Sequence, residues 1–426
     1  MHSGESIHHT GPPPRVPARS ALALLAVSVC LLAGCGSGGS EDAKNPGGNP
    51  AKKTAQAAGA ATGPRLELRA ADGQDHVPVT TGGRVSVEGG TLTKVSLTGP
   101  DGRAVPGERS PDKRSWAPSA DLERGTAYRL TAEATGTGTG TGTGTDGHRT
   151  TRTVSFKTLA EADRFTGTHT PENGSTVGVG MPVSFTFDKA ITDRKAVESA
   201  VEVSADSGQT VVGHWFGGQR LDFRPEEYWK AGSTVTVRIR FAGVKGAADA
   251  YGEQDKTLRF TVGRSQVSTV DAAAHTMNVV RDGRTVRRIP ITAGADSSPT
   301  WNGRMVISEK LMSTRMNGAT VGFAGQYDIP DVPHAMRLST SGTFIHGNYW
   351  GKDSVFGKSN ISHGCVGLND TKGGGDPGQD AAWFYDNSLL GDVVVVKNSD
   401  DKVIAPDNGL NGWNMPWNEW KAGSAR

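Results

Sequence analysis

Apolar and polar positions alternate with a period of two through most of the chain after residue 65, the mark of half-buried strands. Arg65-Leu66-Glu67-Leu68-Arg69, Arg84-Val85-Ser86-Val87, Lys94-Val95-Ser96-Leu97 and Tyr128-Arg129-Leu130-Thr131 carry the pattern within residues 65–159. Turn-forming clusters such as Gly99-Pro100-Asp101-Gly102 separate them. Pro182 to Phe187, Gln219 to Phe223, Thr234 to Ile239 and Leu258 to Val262 repeat it within residues 160–264. Short strands at regular intervals over roughly a hundred residues predict an immunoglobulin-like β-sandwich for each segment. The Thr-Gly repeat from Thr135 to Thr145 has no side chains to pack and reads as a loose hairpin tip. Neither module shows a cluster of ligand-type residues, so both read as spacers.

The pattern changes in residues 265–400. Val267-Ser268-Thr269-Val270 and Met277-Asn278-Val279-Val280 still alternate, with the turn Arg281-Asp282-Gly283 after the second. Asp392 to Val396 is a nearly unbroken apolar run, which predicts a strand covered on both faces. One helix is signalled: Asp376 as its cap, Pro377 in its first turn and Gln379 three residues after the cap. Ala382, Phe384, Tyr385 and Leu389 supply its apolar face, and Gly391 can end it. In the extension at 401–426, Trp413, Trp417 and Trp420 are spaced to share one face of a short helix, although Pro416 removes a backbone donor there. This segment reads either as a tail docked on the preceding domain or as an exposed ligand platform.

The first 64 residues carry no such pattern. Arg15 and Arg19 precede an apolar run from Ala21 to Ala33, too short to span a bilayer, which predicts a signal peptide over 1–34. Its ending, Leu32-Ala33-Gly34-Cys35, resembles a bacterial lipobox, in which the cysteine is lipidated; an ordinary signal peptide with an incidental cysteine is the alternative. Lipidation of Cys35 implies a protein anchored at the outer face of the cell membrane. Residues 35–64 are rich in Gly, Ala, Lys, Asn and Pro and read as a flexible linker. The 58 glycines fit a turn-rich, mainly β chain. With 46 basic and 44 acidic residues the net charge is +2, which excludes an electrostatic case for nucleic acid.

The cysteine count then directs attention to one loop. Cys30 lies in the leader and Cys35 at the lipidation position, so Cys365 is left as the free thiol. An unpaired thiol outside the cell is liable to oxidation, so its presence favours a chemical role. Acyl transfer by cysteine needs a thiolate, a proton acceptor, a group to orient that acceptor, and donors for the oxyanion. Ser362-His363-Gly364-Cys365-Val366 supplies the sulfur, and Phe344-Ile345-His346-Gly347 supplies an imidazole at a strand end. The Gly347 carbonyl can orient His346. Gly364 permits a tight bend that would aim the Gly364 and Cys365 amides into one space. His363 is a second candidate for tuning or substrate contact. The two histidines and the cysteine could instead be zinc ligands, but no further Cys or acidic ligand has suitable spacing, so neither metal nor cofactor is implied.

At His346-Gly347 and Ser362-His363-Gly364-Cys365-Val366 the chain resembles the L,D-transpeptidases of bacterial cell-wall synthesis. The resemblance extends to Gly412-Trp413-Asn414-Met415-Pro416-Trp417, which is similar to the C-terminal extension of actinobacterial members. It implies two immunoglobulin-like modules followed by a β-rich catalytic domain with one or few helices. It also implies two-step acyl transfer on peptidoglycan stem peptides. Cys365 would attack the carbonyl before the terminal D-alanine of a tetrapeptide, and an amine of a neighbouring stem would resolve the thioester into a 3-3 crosslink. His346 would be the base, oriented by the Gly347 carbonyl, and carbapenems would acylate Cys365. Tyr327 corresponds to a family tyrosine whose backbone lines the oxyanion site. Where the family has Arg or Asn two residues after the nucleophile this chain has Gly367, and Asn369 is a candidate to supply the missing polar contact.

The same residues also permit an L,D-carboxypeptidase with water as acceptor. A wall-binding lipoprotein whose catalytic domain has decayed is a reading from a different class, and a cysteine protease acting on proteins is another.

Overall fold

The computed structural model describes residues 63–136 and 147–426. The leader, Cys35, most of the linker and most of the Thr-Gly repeat lie outside the described residues. The strands flanking that repeat, Ala127–Gly136 and Arg149–Thr158, pair antiparallel up to Thr135 and Arg149.

Residues 65–158 form two four-stranded sheets whose inward side chains, among them Leu92, Leu97, Leu130 and Phe156, make one core. A second sandwich follows, with two four-stranded sheets and a small three-stranded one. Phe165, Phe185, Phe187, Trp215 and Phe241 fill its centre, several of them edge to face. Arg124 of the first module reaches Glu253 of the second with two hydrogen bonds at 3.1 and 2.6 Å.

The third domain is built on a nine-stranded mixed sheet. Its strands are β1 (Gln266–Asp271), β2 (Thr276–Arg281), β3 (Arg284–Thr292), β4 (Gly303–Val306), β5 (Glu309–Asn317), β6 (Asp328–Arg337), β7 (Phe344–Asn348), β8 (Val366–Asn369) and β9 (Val393–Lys397). Their order across the sheet is β4-β9-β1-β2-β3-β8-β7-β6-β5. Asp282 and Gly283 both have positive φ, 47° and 79°, which gives β2 and β3 a tight hairpin of matching twist. Strand β9 lies between β4 and β1, as its apolar run requires, and its side chains divide between two cores. Val394 and Val396 point into the catalytic domain with Val270, Ile289, Ile345 and Phe384. Val393, with Val395 and Val267, packs against the core of the second sandwich. A period of two thus joins the two domains through one strand.

Strand β6 carries Pro330 and Pro333, residues that argue against a central strand. They are accommodated because β6 pairs with β7 only at Met336 and Arg337, so its earlier residues have a partner on one side alone.

Two local expectations are corrected. The helix begins at Asp380 rather than after Asp376 and ends at Asp386, before Leu389 and Gly391. Asp376 spends its carboxylate on the Gly378 amide and the Gln379 side chain, which favours a turn, and the Asn387 side chain closes the far end on the Trp383 carbonyl. In the C-terminal extension only Trp417–Ala422 is α-helical, while Trp413 sits in a separate 3₁₀ turn. The three indoles nevertheless converge, because all three surround the Arg224 guanidinium of the second sandwich, at 4.8, 5.3 and 4.3 Å from Trp413, Trp417 and Trp420. Trp413 and Trp420 are buried and donate to the carbonyls of Gly180 and Val212, so they do not form an exposed platform. Asn411 and Asn414 bind the backbone of β4, and the extension therefore clamps the sandwich to the catalytic domain.

Candidate active site

The site lies where β7 and β8 run parallel near the middle of the sheet. His346 of β7 stands in register with Gly367 of β8, two residues beyond Cys365. His346 and Cys365 both open into a cavity of about 360 Å³, also lined by Tyr327, Asn348, Trp350, Ile361, Ser362 and His363.

The loop before β8 is held from several directions. Ser362 donates its hydroxyl to the Cys365 carbonyl at 2.6 Å and accepts the Gly364 amide at 3.2 Å. Its backbone bonds Ala293 and Ala295, which fixes the loop to the end of β3. Gly364 has φ +107°, a conformation available to glycine, while a Cβ there would meet only ordinary contacts at 3.7 Å. Backbone angle, not space, therefore demands glycine. The Gly364 amide already donates to Ser362, so of the two amides expected at this bend that of Cys365 is the candidate oxyanion donor.

His346 is buried, and its Nδ1 lies 2.9 Å from the Gly347 carbonyl. A carbonyl only accepts, so Nδ1 carries the proton and Nε2 keeps a lone pair for a reacting group. Burial lowers the pKa of His346, against smaller upward effects of the Gly347 carbonyl and Asp370. Burial also pushes the Cys365 thiol up to about 11, although the Phe344 amide pulls the other way. The resting pair is therefore a neutral thiol and a neutral imidazole. The half-buried Cys365 directs its sulfur to the Gly342 carbonyl at 3.6 Å. This arrangement suits proton transfer concerted with attack, not a preformed ion pair.

The segment between β5 and β6 borders the same clefts as Cys365. Asn317 accepts the Ala319 amide, and the Tyr327 carbonyl accepts that of Gly318. Tyr327 lines three clefts, two of which Cys365 also lines, and its phenol pKa is raised by burial and by the sulfur. His363, exposed on one side, rests against the rings of Tyr327 at 4.9 Å and Phe323 at 5.4 Å. Its neighbours are thus the residues of this segment.

Asn369 does not line any of these clefts; its amide reaches toward Asp353 at 3.5 Å. Four residues along a strand carry it about 13 Å from Cys365. Asn348, which sequence reasoning did not single out, takes the nearer place. A Cβ on Gly367 would lie 3.4 Å from both Cβ and Nδ2 of Asn348. Cγ2 of Thr292 on β3 would be nearer still, at 2.9 Å, so the strands on both sides fill the space beside Gly367. The separation of Asn348 and Thr292 from Gly367 along the chain hides this packing from any local pattern. Trp350 lies nearly parallel to the His346 ring at 5.7 Å and, with the exposed Ile361, forms an apolar rim at the cavity mouth. Among the described residues, no three His, Cys, Asp or Glu side chains are grouped so as to hold a metal ion.

A β-sheet domain with a cysteine and a histidine opening into one cleft, behind two β-sandwiches, defines a modular chain with a candidate thiol-imidazole site. Residues 265–396 match the L,D-transpeptidase catalytic domain, and residues 74–245, across both sandwiches, match a bacterial Ig domain. The chain is 31% identical over 367 residues to L,D-transpeptidase 2 of Mycobacterium tuberculosis, spanning 85% of each protein. It is also 31% identical to L,D-transpeptidase 5 of the same species, over 85% of this chain and 77% of that one. Among solved structures, an L,D-transpeptidase in complex with imipenem aligns with 54% of this chain and 97% of its own, at 29% identity and a TM-score of 0.46. The chain belongs to the L,D-transpeptidase family.

Proposed function

We propose that the chain forms 3-3 crosslinks in peptidoglycan through a thioester on Cys365. The reading rests above all on the opening of the Cys365 sulfur and the His346 imidazole into one cavity, with Nδ1 of the imidazole held by Gly347. Nε2 of His346 takes the thiol proton as the sulfur attacks the carbonyl before the terminal D-alanine of a tetrapeptide stem. The oxygen of the tetrahedral intermediate accepts from the Cys365 amide. The C–N bond breaks, the imidazolium returns its proton to the departing D-alanine amine, and a thioester remains. A side-chain amine of a second stem then attacks the thioester, His346 accepts its proton, and the sulfur leaves as the thiol.

Carbapenems are proposed inhibitors on the same chemistry, because the strained lactam carbonyl is an electrophile for the same sulfur. Lipidation at Cys35 would hold the chain at the outer membrane face, with the two sandwiches as a stalk reaching into the wall.

Incubation of the leaderless protein with purified disaccharide tetrapeptides tests the reaction by mass spectrometry. Crosslinked dimers that have lost one D-alanine are the expected product. Tripeptides alone would make the protein an L,D-carboxypeptidase, and unchanged substrate would remove both activities.

A further inference from the structure

A second histidine pair lies behind the site. His334 of β6 donates Nδ1–H to Asp370 Oδ2 at 2.7 Å, and both side chains are almost wholly shut off from solvent, 3% and 0% exposed. The other carboxylate oxygen accepts the Thr371 amide at 2.8 Å. Asp370 immediately follows β8, and its carboxylate is pressed against the backbone of Gly347 on β7. A Cβ at position 347 would lie 2.1 Å from Oδ2, so glycine is required for the carboxylate to fit there. Gly347 is also the residue whose carbonyl holds Nδ1 of His346.

His334 is held in turn. It has φ +50°, an uncommon backbone state for a residue with a side chain, and its ring packs against Tyr385 at 5.2 Å. A Cβ on Gly374 would lie 2.7 Å from His334 Cε1, so close backbone approach closes the remaining side. A buried carboxyl group, its histidine partner and a strained backbone position are thus built into the core beneath the orienting peptide. The acyl-transfer chemistry as derived above uses none of them.

We propose that Asp370, tethered by His334, is a positioning residue for the base: it seats the Gly347 peptide and favours the protonated imidazole formed at His346 as the sulfur attacks. The inference rests on the reading of Cys365 and His346 as nucleophile and base. The ionisable groups around His346 are Cys365, Tyr327 and His363 on the cavity side, with Asp370 and His334 behind. Tyr385 closes against His334, and the Lys310 ammonium lies over the Tyr385 ring at 4.3 Å. Among these, the carboxylate of Asp370 is the group that acts upward on the His346 pKa.

The test is the rate of carbapenem acylation against pH, followed by intact mass and by loss of drug absorbance, on the leaderless chain. Asp370→Asn keeps the shape and removes the charge. It is expected to slow acylation about tenfold or more and to move the acid limb, which belongs to His346, to lower pH. A purely structural role would lower the rate and leave the limb in place, and that result overturns the proposal, as does an unchanged rate. His334→Gln keeps an amide donor for the carboxylate. It is expected to slow acylation less than Asp370→Asn and to leave the acid limb at or above its wild-type position. A downward shift in His334→Gln overturns the proposal even if Asp370→Asn does not fold. A wild-type protein that forms no adduct would defeat the reading of Cys365 and His346 instead.

Discussion

His346 and Gly367 stand opposite each other on the parallel strands β7 and β8, and this register brings the imidazole to the cavity entered by Cys365 two residues earlier. His346 is the central residue of β7, not at a strand end as its sequence context suggested, and Cys365 immediately precedes β8, so the parallel pairing of the two strands brings both to one part of the sheet. The chain between them forms the cavity mouth with Trp350 and Ile361.

Cys365→Ala should leave the fold intact and form no covalent adduct with a carbapenem. Intact mass measurement decides this, and an adduct of undiminished yield in the variant would falsify the assignment of the nucleophile.

Gly364→Ala tests backbone angle alone, because a Cβ there meets no close contact. An L-residue forced to φ +107° costs roughly 1–2 kcal/mol if the loop holds, and the loop can relax only by moving the sulfur. The expected result is a small loss in thermal stability with a far larger loss of acylation rate. Equal wild-type rates would show that the loop tolerates another geometry.

The pH dependence of acylation follows from two shifts with one cause. Burial lowers His346, so the base form persists to lower pH than an ordinary histidine allows, and the acid limb should lie below about 6.5. Burial raises the thiol to about 11, so the rate should not climb between pH 7 and 9 as it would for a free thiol ionising. A rise of tenfold across that interval would mean that a solvent-generated thiolate is the attacking species.

Arg224→Ala should destabilise the chain by roughly 2–4 kcal/mol, by removal of a buried guanidinium that binds carbonyls and three indoles. Its Nη atoms donate to the carbonyls of Pro225, Glu226 and Met415, tying the extension to the second sandwich. Thermal unfolding measures the loss, and tryptophan fluorescence should shift as Trp413 and Trp420 gain water. A change within 0.5 kcal/mol would show that the clamp does not depend on this residue.

The strand period, the turns and the Ser-His-Gly-Cys loop were legible in the amino-acid order because each depends on neighbours a few residues apart. Strands 266–271, 276–281 and 393–397 fall close to where alternation and the valine run put them. The prolines hid strand 328–337, and its half-exposed partner 309–317 shows no clean alternation. The helix boundary was misplaced because Asp376 can serve a cap or a turn equally well, and only the surrounding chain selects between them.

By itself, then, the sequence determined a mainly β chain, two sandwich modules and the candidate pair Cys365 and His346, since composition and short motifs carry that information. Tertiary structure decided what depends on residues distant in the chain meeting in space. It placed Asp370 and His334 beneath Gly347, packed Thr292 and Asn348 around Gly367, and closed three indoles around Arg224. Each of these is a contact between separate strands or domains, and its energy comes from burial and close approach that no linear pattern records.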